Sequence, residues 1–129
     1  MQYRPEHTDL IDAIQEFLLK EILPFVKDND ALAYKTLVSW NMLGVVSREL
    51  KNSRPLLEQD VQLLSKLVGE KADTAQPDRE LWQTAQRLAK KVARKIREEK
   101  TMPGGNEWHA VRELLKHNLQ VSNPRYGVE

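Results

Sequence analysis

Residues 31–51 carry the pattern that most narrows the fold. On a helical wheel Leu32, Leu37, Val38, Trp40, Met42, Leu43, Val45, Val46 and Leu50 occupy most of the circumference. A helix that is apolar nearly all round is usually enclosed by other helices. This segment is therefore expected to be the central helix of a bundle. Asn41, Gly44 and Arg48, at steps of three and four, leave one narrow polar or small seam along it.

The flanking segments supply candidate helices to surround it. Leu10, Ile11, Ile14, Phe17, Leu18 and Ile22 recur at helical steps and predict a first helix over about 7–23, broken or kinked at Pro24, which has no amide proton. Asp28, Asn29 and Asp30 are candidate N-caps for the next helix. A third helix is expected after Ser53-Arg54-Pro55, with the proline in its first turn, Leu57, Val61, Leu64 and Val68 on its face, and Gly69 at its end. Residues 70–77 read as a polar loop. Leu81, Ala85, Leu88, Val92 and Ile96 make a clean stripe on a fourth helix, about 78–100. After the Gly104-Gly105 turn and a capping Asn106, a fifth helix over about 107–120 is expected to bury Trp108, Val111, Leu115 and Leu119. No segment alternates with the period of a strand, and there is no internal repeat. The reading is all-α: one domain, residues 1–129, a bundle of about five helices around a central hydrophobic helix, with residues 122–129 as a C-terminal tail.

Composition limits the functional classes. With 129 residues, 40% hydrophobic and 30% charged, the chain has the size and make-up of one globular domain. A net charge of +1 gives no overall pull toward nucleic acid or anionic lipid. Cysteine is absent, which removes disulfides, thiolate metal sites and cysteine nucleophiles together and fits a reducing compartment. The N-terminus shows no secretory pattern and no apolar run approaches the ~20 residues of a membrane span, so a cytoplasmic protein is expected.

No catalytic constellation stands out. His109 and His117 are eight residues apart on one predicted helix, a rise of about 12 Å, too far for one ion; His7 is remote in sequence. No metal and no cofactor are expected. The serines lie outside any nucleophile elbow, and no glycine-rich phosphate cradle follows a strand. Arg87, Lys90, Lys91, Arg94 and Lys95 form a basic face on the fourth predicted helix, able to meet RNA, an acidic protein or a phosphorylated ligand. A solvated face whose long stems cover apolar surface is the plainer account, because aromatic stacking platforms are not interleaved. Arg112 and His117 have the Arg-x-x-x-x-His spacing of the helical HEPN ribonucleases, yet five residues turn about 140° round a helix, so the pair would not share a face. Along the seam, Asn41 and Arg48 need partners if buried, and Arg4, Asn123, Arg125 and Tyr126 of the terminal segments are candidates to provide them. A structural network joining tail and bundle is one reading, and a small anionic-ligand pocket lined by Arg48 is the other.

Several short words, in order along nearly the whole chain, carry a resemblance. They are Arg4-Pro5, Glu21-Ile22-Leu23-Pro24, Leu32-Ala33-Tyr34, the Asn41–Leu50 stretch with Arg48-Glu49-Leu50, and Asn123-Pro124-Arg125-Tyr126. In these the chain resembles a family of small bacterial helical proteins of unassigned role. Their genes often sit beside those of aminoglycoside-phosphotransferase-like kinases and acyl-CoA dehydrogenases. Lys35 stands where members tend to carry histidine, and residues 70–100 are longer and more basic than is usual. The resemblance implies one helical domain with an accessory role near acyl-CoA metabolism, and it implies no catalytic residue.

Three functional expectations follow. The first is a non-enzymatic accessory protein that binds another protein through the basic face or an apolar edge, with homo-oligomerisation left open. The second is an RNA-directed HEPN-like protein using Arg112 and His117. The third is a small anionic-ligand-binding protein acting through Arg48, with Asn41, Arg125 and Tyr126 around it.

Overall fold

The structure, a computed structural model, describes residues 4–126. It is all-α, with four helices and no strand among the described residues. By their contacts the residues divide into two compact units, Met1–Asn52 and Ser53–Glu129. The last three residues of the expected tail, 127–129, lie outside the described residues.

The first unit opens with α1, His7–Phe17, which passes through a π-helical turn, Leu18–Ile22, into a last α-helical turn, Leu23–Phe25. The widened turn has a local cause. Pro24 offers no N–H, and its ring would collide with the carbonyl four residues back, so the backbone shifts to a five-residue bond, Leu23 N–H to the Leu18 carbonyl. The helix, expected to break or kink at Pro24, is instead re-phased by this π-helical turn just ahead of the proline and stops at Phe25. Asn29 then caps the next helix as expected, its Oδ1 accepting the Leu32 N–H at 3.1 Å.

That helix, α2, runs Asp30–Val68, 39 residues with Pro55 inside it. The second and third predicted helices are therefore one. Proline's fixed φ suits a helix, and only one backbone bond is lost. The side chain before it, Arg54, holds this turn through four acceptors: Glu58 at 2.6 Å, Asp78 at 2.7 Å, and the carbonyls of Gln76 and Thr74 at 2.7 and 2.6 Å.

Within the first unit, half-buried Thr8, Ile11, Gln15, Leu18 and Ile22 form the inner stripe of α1. The enclosure expected for residues 31–51 is not found in that unit. Leu32, Tyr34, Leu37, Val38, Met42, Val46 and Leu50 are exposed, Met42 at 63%, and the buried positions are Gly44 and Ser47. The reason is numerical: α2 has apolar residues on all sides, and α1 can cover only one of them.

The second unit has a closed core. Val61 and Leu64 from the C-terminal half of α2 pack with Leu81, Leu88 and Val92 of α3, Asp78–Glu99. Leu57, Leu67, Val68, Ala85, Ile96 and Leu114 surround them. Gly69, at φ +68°, ends α2 in the left-handed conformation that a Cβ disfavours. The last helix, α4, is Asn106–Ser122, with Gly105 rather than Asn106 at the N-cap position. Its inner face also departs from expectation. Ala110 is buried and Leu114 and His117 are largely covered, whereas Trp108 and Leu115 are exposed.

Candidate functional site

The polar seam of the first unit is where α1 and α2 meet. Asp12, on the flank of α1, accepts bonds from Ser47 Oγ at 2.7 Å and Lys51 Nζ at 2.8 Å. The bonds from Lys51 and then Ser47 hold its carboxyl below the usual carboxylate range. One turn on, the Gln15 amide donates to the Trp40 carbonyl at 2.9 Å. As the α1 partner advances from 12 to 15, the α2 partner retreats from 47 and 51 to 40, so the two helices form an antiparallel hairpin.

Gly44 lets them approach. A Cβ there would stand 2.7 Å from Gln15 Nε2 and 3.0 Å from Arg48 Nη1. Arg48 is half-buried and engaged by the chain, and Asn41 is exposed. Asp12, Gln15, Ser47 and Lys51 were not among the expected site residues. The signal for them was there, since Gly44, Ser47, Arg48 and Lys51 continue the seam at steps of three and four, matched by Asp12 and Gln15 three apart on α1.

Arg125 and Tyr126 belong to the second unit. Tyr126 is exposed, its N–H donating to the Asn123 carbonyl at 3.0 Å in a turn around Pro124. Arg125 is exposed as a residue but engaged.

The basic face of α3 is partly neutralised by its own unit. Glu70, in the connection after α2, accepts from Lys91 at 2.6 Å and Arg87 at 2.8 Å, and these two cations hold its carboxyl below its usual range. Lys95 donates to the Leu67 carbonyl at 3.0 Å, at the negative end of α2, and lies 3.5 Å from Glu107. Gln83, Gln86, Lys90 and Arg94, with Arg87 and Lys91, line an open hollow of about 310 Å³ on this single helix face. Surface pairs of this kind contribute little to stability, but they fix the loop and the ends of α2 and α4 against α3.

Arg112 and His117 serve different partners. Arg112 lies over the Trp108 ring, 5.4 Å from its centroid, with His109 edge-on to the same ring at 5.0 Å. His117 Nδ1 is 2.6 Å from Asp60 Oδ1 on α2, with the side chains only 17% and 28% exposed. Burial pushes the Asp60 carboxyl up, and the bond to His117 opposes that in part. Among the described residues there is no group of three or more His, Asp or Glu side chains placed to hold a metal ion. No described helix is long and apolar enough to cross a membrane.

Residues 27–126, from the turn before α2 to the end of the described chain, match the family described as "Domain of unknown function (DUF6285)". The chain belongs to the DUF6285 family. Within this DUF6285 chain the matched range takes in α2, α3 and α4, and α1 precedes it. No curated protein and no solved structure matches the chain.

Proposed function

We propose that this DUF6285 protein is a non-enzymatic helical accessory protein that works by binding another protein. One observation carries the reading. Residues 4–52 expose twelve large apolar side chains, among them Ile14, Phe17, Phe25, Tyr34 and Met42, and fully bury none. Contiguous apolar surface beyond a few hundred Å² is rare on proteins that act alone and marks interaction sites.

The resemblance read from the sequence adds an acyl-CoA dehydrogenase or phosphotransferase-like kinase as the class of protein it serves, in the cytoplasm that a cysteine-free composition suits. The other two readings have less support. Arg112 and His117 are committed to Trp108 and Asp60, and the space beside Arg48 is filled by Gln15 over Gly44. The test is co-purification of the full chain with a protein of either class. Wild type is expected to retain it and Met42→Glu, still helical by circular dichroism, to lose it. A wild-type chain that binds neither yet turns over a substrate would end the proposal.

A further inference from the structure

We infer that the outward face of α3 docks an acidic helical segment of another protein. The inference goes beyond the reading above, whose apolar surface lies on residues 4–52, and it does not depend on that surface. At about 100° per residue, Gln83, Lys90, Arg94 and Arg97 point within about 40° of the direction opposite the buried Leu81, Leu88 and Val92. All four are exposed. Residues 87–97 hold Arg87, Lys90, Lys91, Arg94, Lys95 and Arg97 and no acid, in a chain whose net charge is only +1. The acids of α3, Asp78, Glu80, Glu98 and Glu99, stand at its two ends.

Glu70 shows what this face accepts. Its carboxylate receives bonds from Arg87 at 2.8 Å and Lys91 at 2.6 Å, two cations one helical turn apart. Lys90 and Arg94 repeat that spacing on the outward side, and among the described residues neither pairs with an acid. Together with Gln83, Gln86, Arg87 and Lys91 they line the open hollow of about 310 Å³. The face thus holds one carboxylate of its own along a flank and leaves the next pair of cations to a second.

Carboxylates on a helix fit this row better than a nucleic acid does. Arg87, Lys90, Arg94 and Arg97 follow at steps of three, four and three, a row of about 15 Å at 1.5 Å per residue. Asp or Glu at the same steps on a second helix stand opposite them over about three turns. Gln83 and Gln86 add neutral donors and acceptors at one end. A single-stranded nucleic acid gains from counterion release over many contacts and from bases stacked on aromatic rings. A net charge of +1 supplies little of the first. For the second, the sole aromatic of α3 is Trp82, which lies about 100° round the helix from the row. Complementary charge selects the partner and speeds encounter more than it adds affinity, so the contact is expected to be salt-sensitive and readily released.

The experiment is fluorescence anisotropy of a labelled peptide with the full chain. The peptide is an alanine-based helix of about 20 residues with glutamates at steps of three and four. A counterpart carries glutamine at those steps, and a single-stranded RNA supplies the other polyanion. Wild type is expected to bind the glutamate peptide and not the glutamine one, about tenfold more weakly at 0.5 M salt than at 0.05 M. Lys90→Glu with Arg94→Glu should weaken binding by about tenfold or more, and the milder Lys90→Gln with Arg94→Gln by less, both with unchanged helicity. Lys27→Glu with Lys35→Glu makes the same change of charge at exposed positions of the first unit. That pair, and Met42→Glu, should stay within about threefold of wild type. No binding of the glutamate peptide, equal binding of both peptides, or tighter binding of the RNA overturns the inference. Equal losses in the two glutamate pairs, or a loss on Met42→Glu, overturn the assigned surface. A Met42→Glu chain that loses its protein partner yet keeps this peptide shows the two surfaces to be separate.

Discussion

Residues 53–126 close their helices over Val61, Leu64, Leu81, Leu88 and Val92, whereas residues 4–52 bring two helices together over Asp12, Gln15, Gly44 and Ser47. The second unit buries its greasy stripe and exposes charge; the first makes its helix contact through polar groups beside half-buried Ile11, Leu18 and Ile22, and leaves other leucines, methionine and phenylalanine exposed. Both are helical, so the difference lies in helix number. Three helical segments can enclose an apolar stripe from several sides, and a pair cannot. The comparison places the buried core in the second unit and leaves the first, with its exposed apolar side chains, as the unit on which the proposed partner binding would rest.

The largest effect that could break this contrast comes from truncating equivalent side chains in the two units. Leu88→Ala is expected to lower unfolding free energy by about 2–5 kcal/mol. Met42→Ala, at an exposed position, should stay within about 0.5 kcal/mol. Urea denaturation of both variants checks the pair, and equal losses would show that the first unit has a core of its own.

Next in size is Gly44→Leu. Its side chain must displace the Gln15 amide and Arg48, an overpacking expected to cost about 1–3 kcal/mol. Hydrogen exchange should then accelerate over residues 7–51 and stay unchanged over 78–99. Acceleration in both regions would mean the units do not respond separately.

Ser65→Ala sharpens the second unit from the opposite direction. The Ser65 hydroxyl is buried with no partner among the described residues. Its removal should stabilise by about 0.5–1 kcal/mol, combining a relieved donor with better helix propensity. A destabilised variant would reveal a bound water at that hydroxyl.

The smallest effect is a dependence on pH. The folded Asp60 carboxyl titrates above its unfolded value because it is buried. Its contribution is therefore fully present below the unfolded value and declines as pH rises through the folded one. Compared with Asp60→Asn, wild type should lose relative stability as pH rises above the ordinary aspartate range. Paired thermal melts at several pH values measure this. A difference that grows with pH would show that the bond to His117 outweighs burial.

How much of this was legible depended on whether apolar spacing alone decided an element. In α3 it did. Leu81, Ala85, Leu88, Val92 and Ile96 oppose a charged face so cleanly that both the helix and its buried side follow from the pattern. Gly69 and Asn29 act as the turn and cap their chemistry predicts. The face of α4 was misread because a small residue and a polar one, Ala110 and His117, outcompeted Trp108 and Leu115 for the interior. His117 is held by Asp60, 57 positions away, and no local window registers such a partner. Pro55 looked like a helix start because its missing donor is visible in the sequence, while the acceptors that secure Arg54 come from the distant 74–78 stretch. Gly44 in the seam was singled out correctly, but the Gln15 amide that lies over it belongs to another helix.

Arg54 itself has a chemical consequence for substitution. Its planar fork reaches the backbone oxygens of Thr74 and Gln76 and two carboxylates at once, and a lysine, with one ammonium at the end of a flexible stem, cannot span that set. The route of the connection into α3 therefore depends on the shape of a cation as well as on its sign. An exchange that conserves charge at position 54 should loosen residues 70–77 while leaving the helices on either side in place.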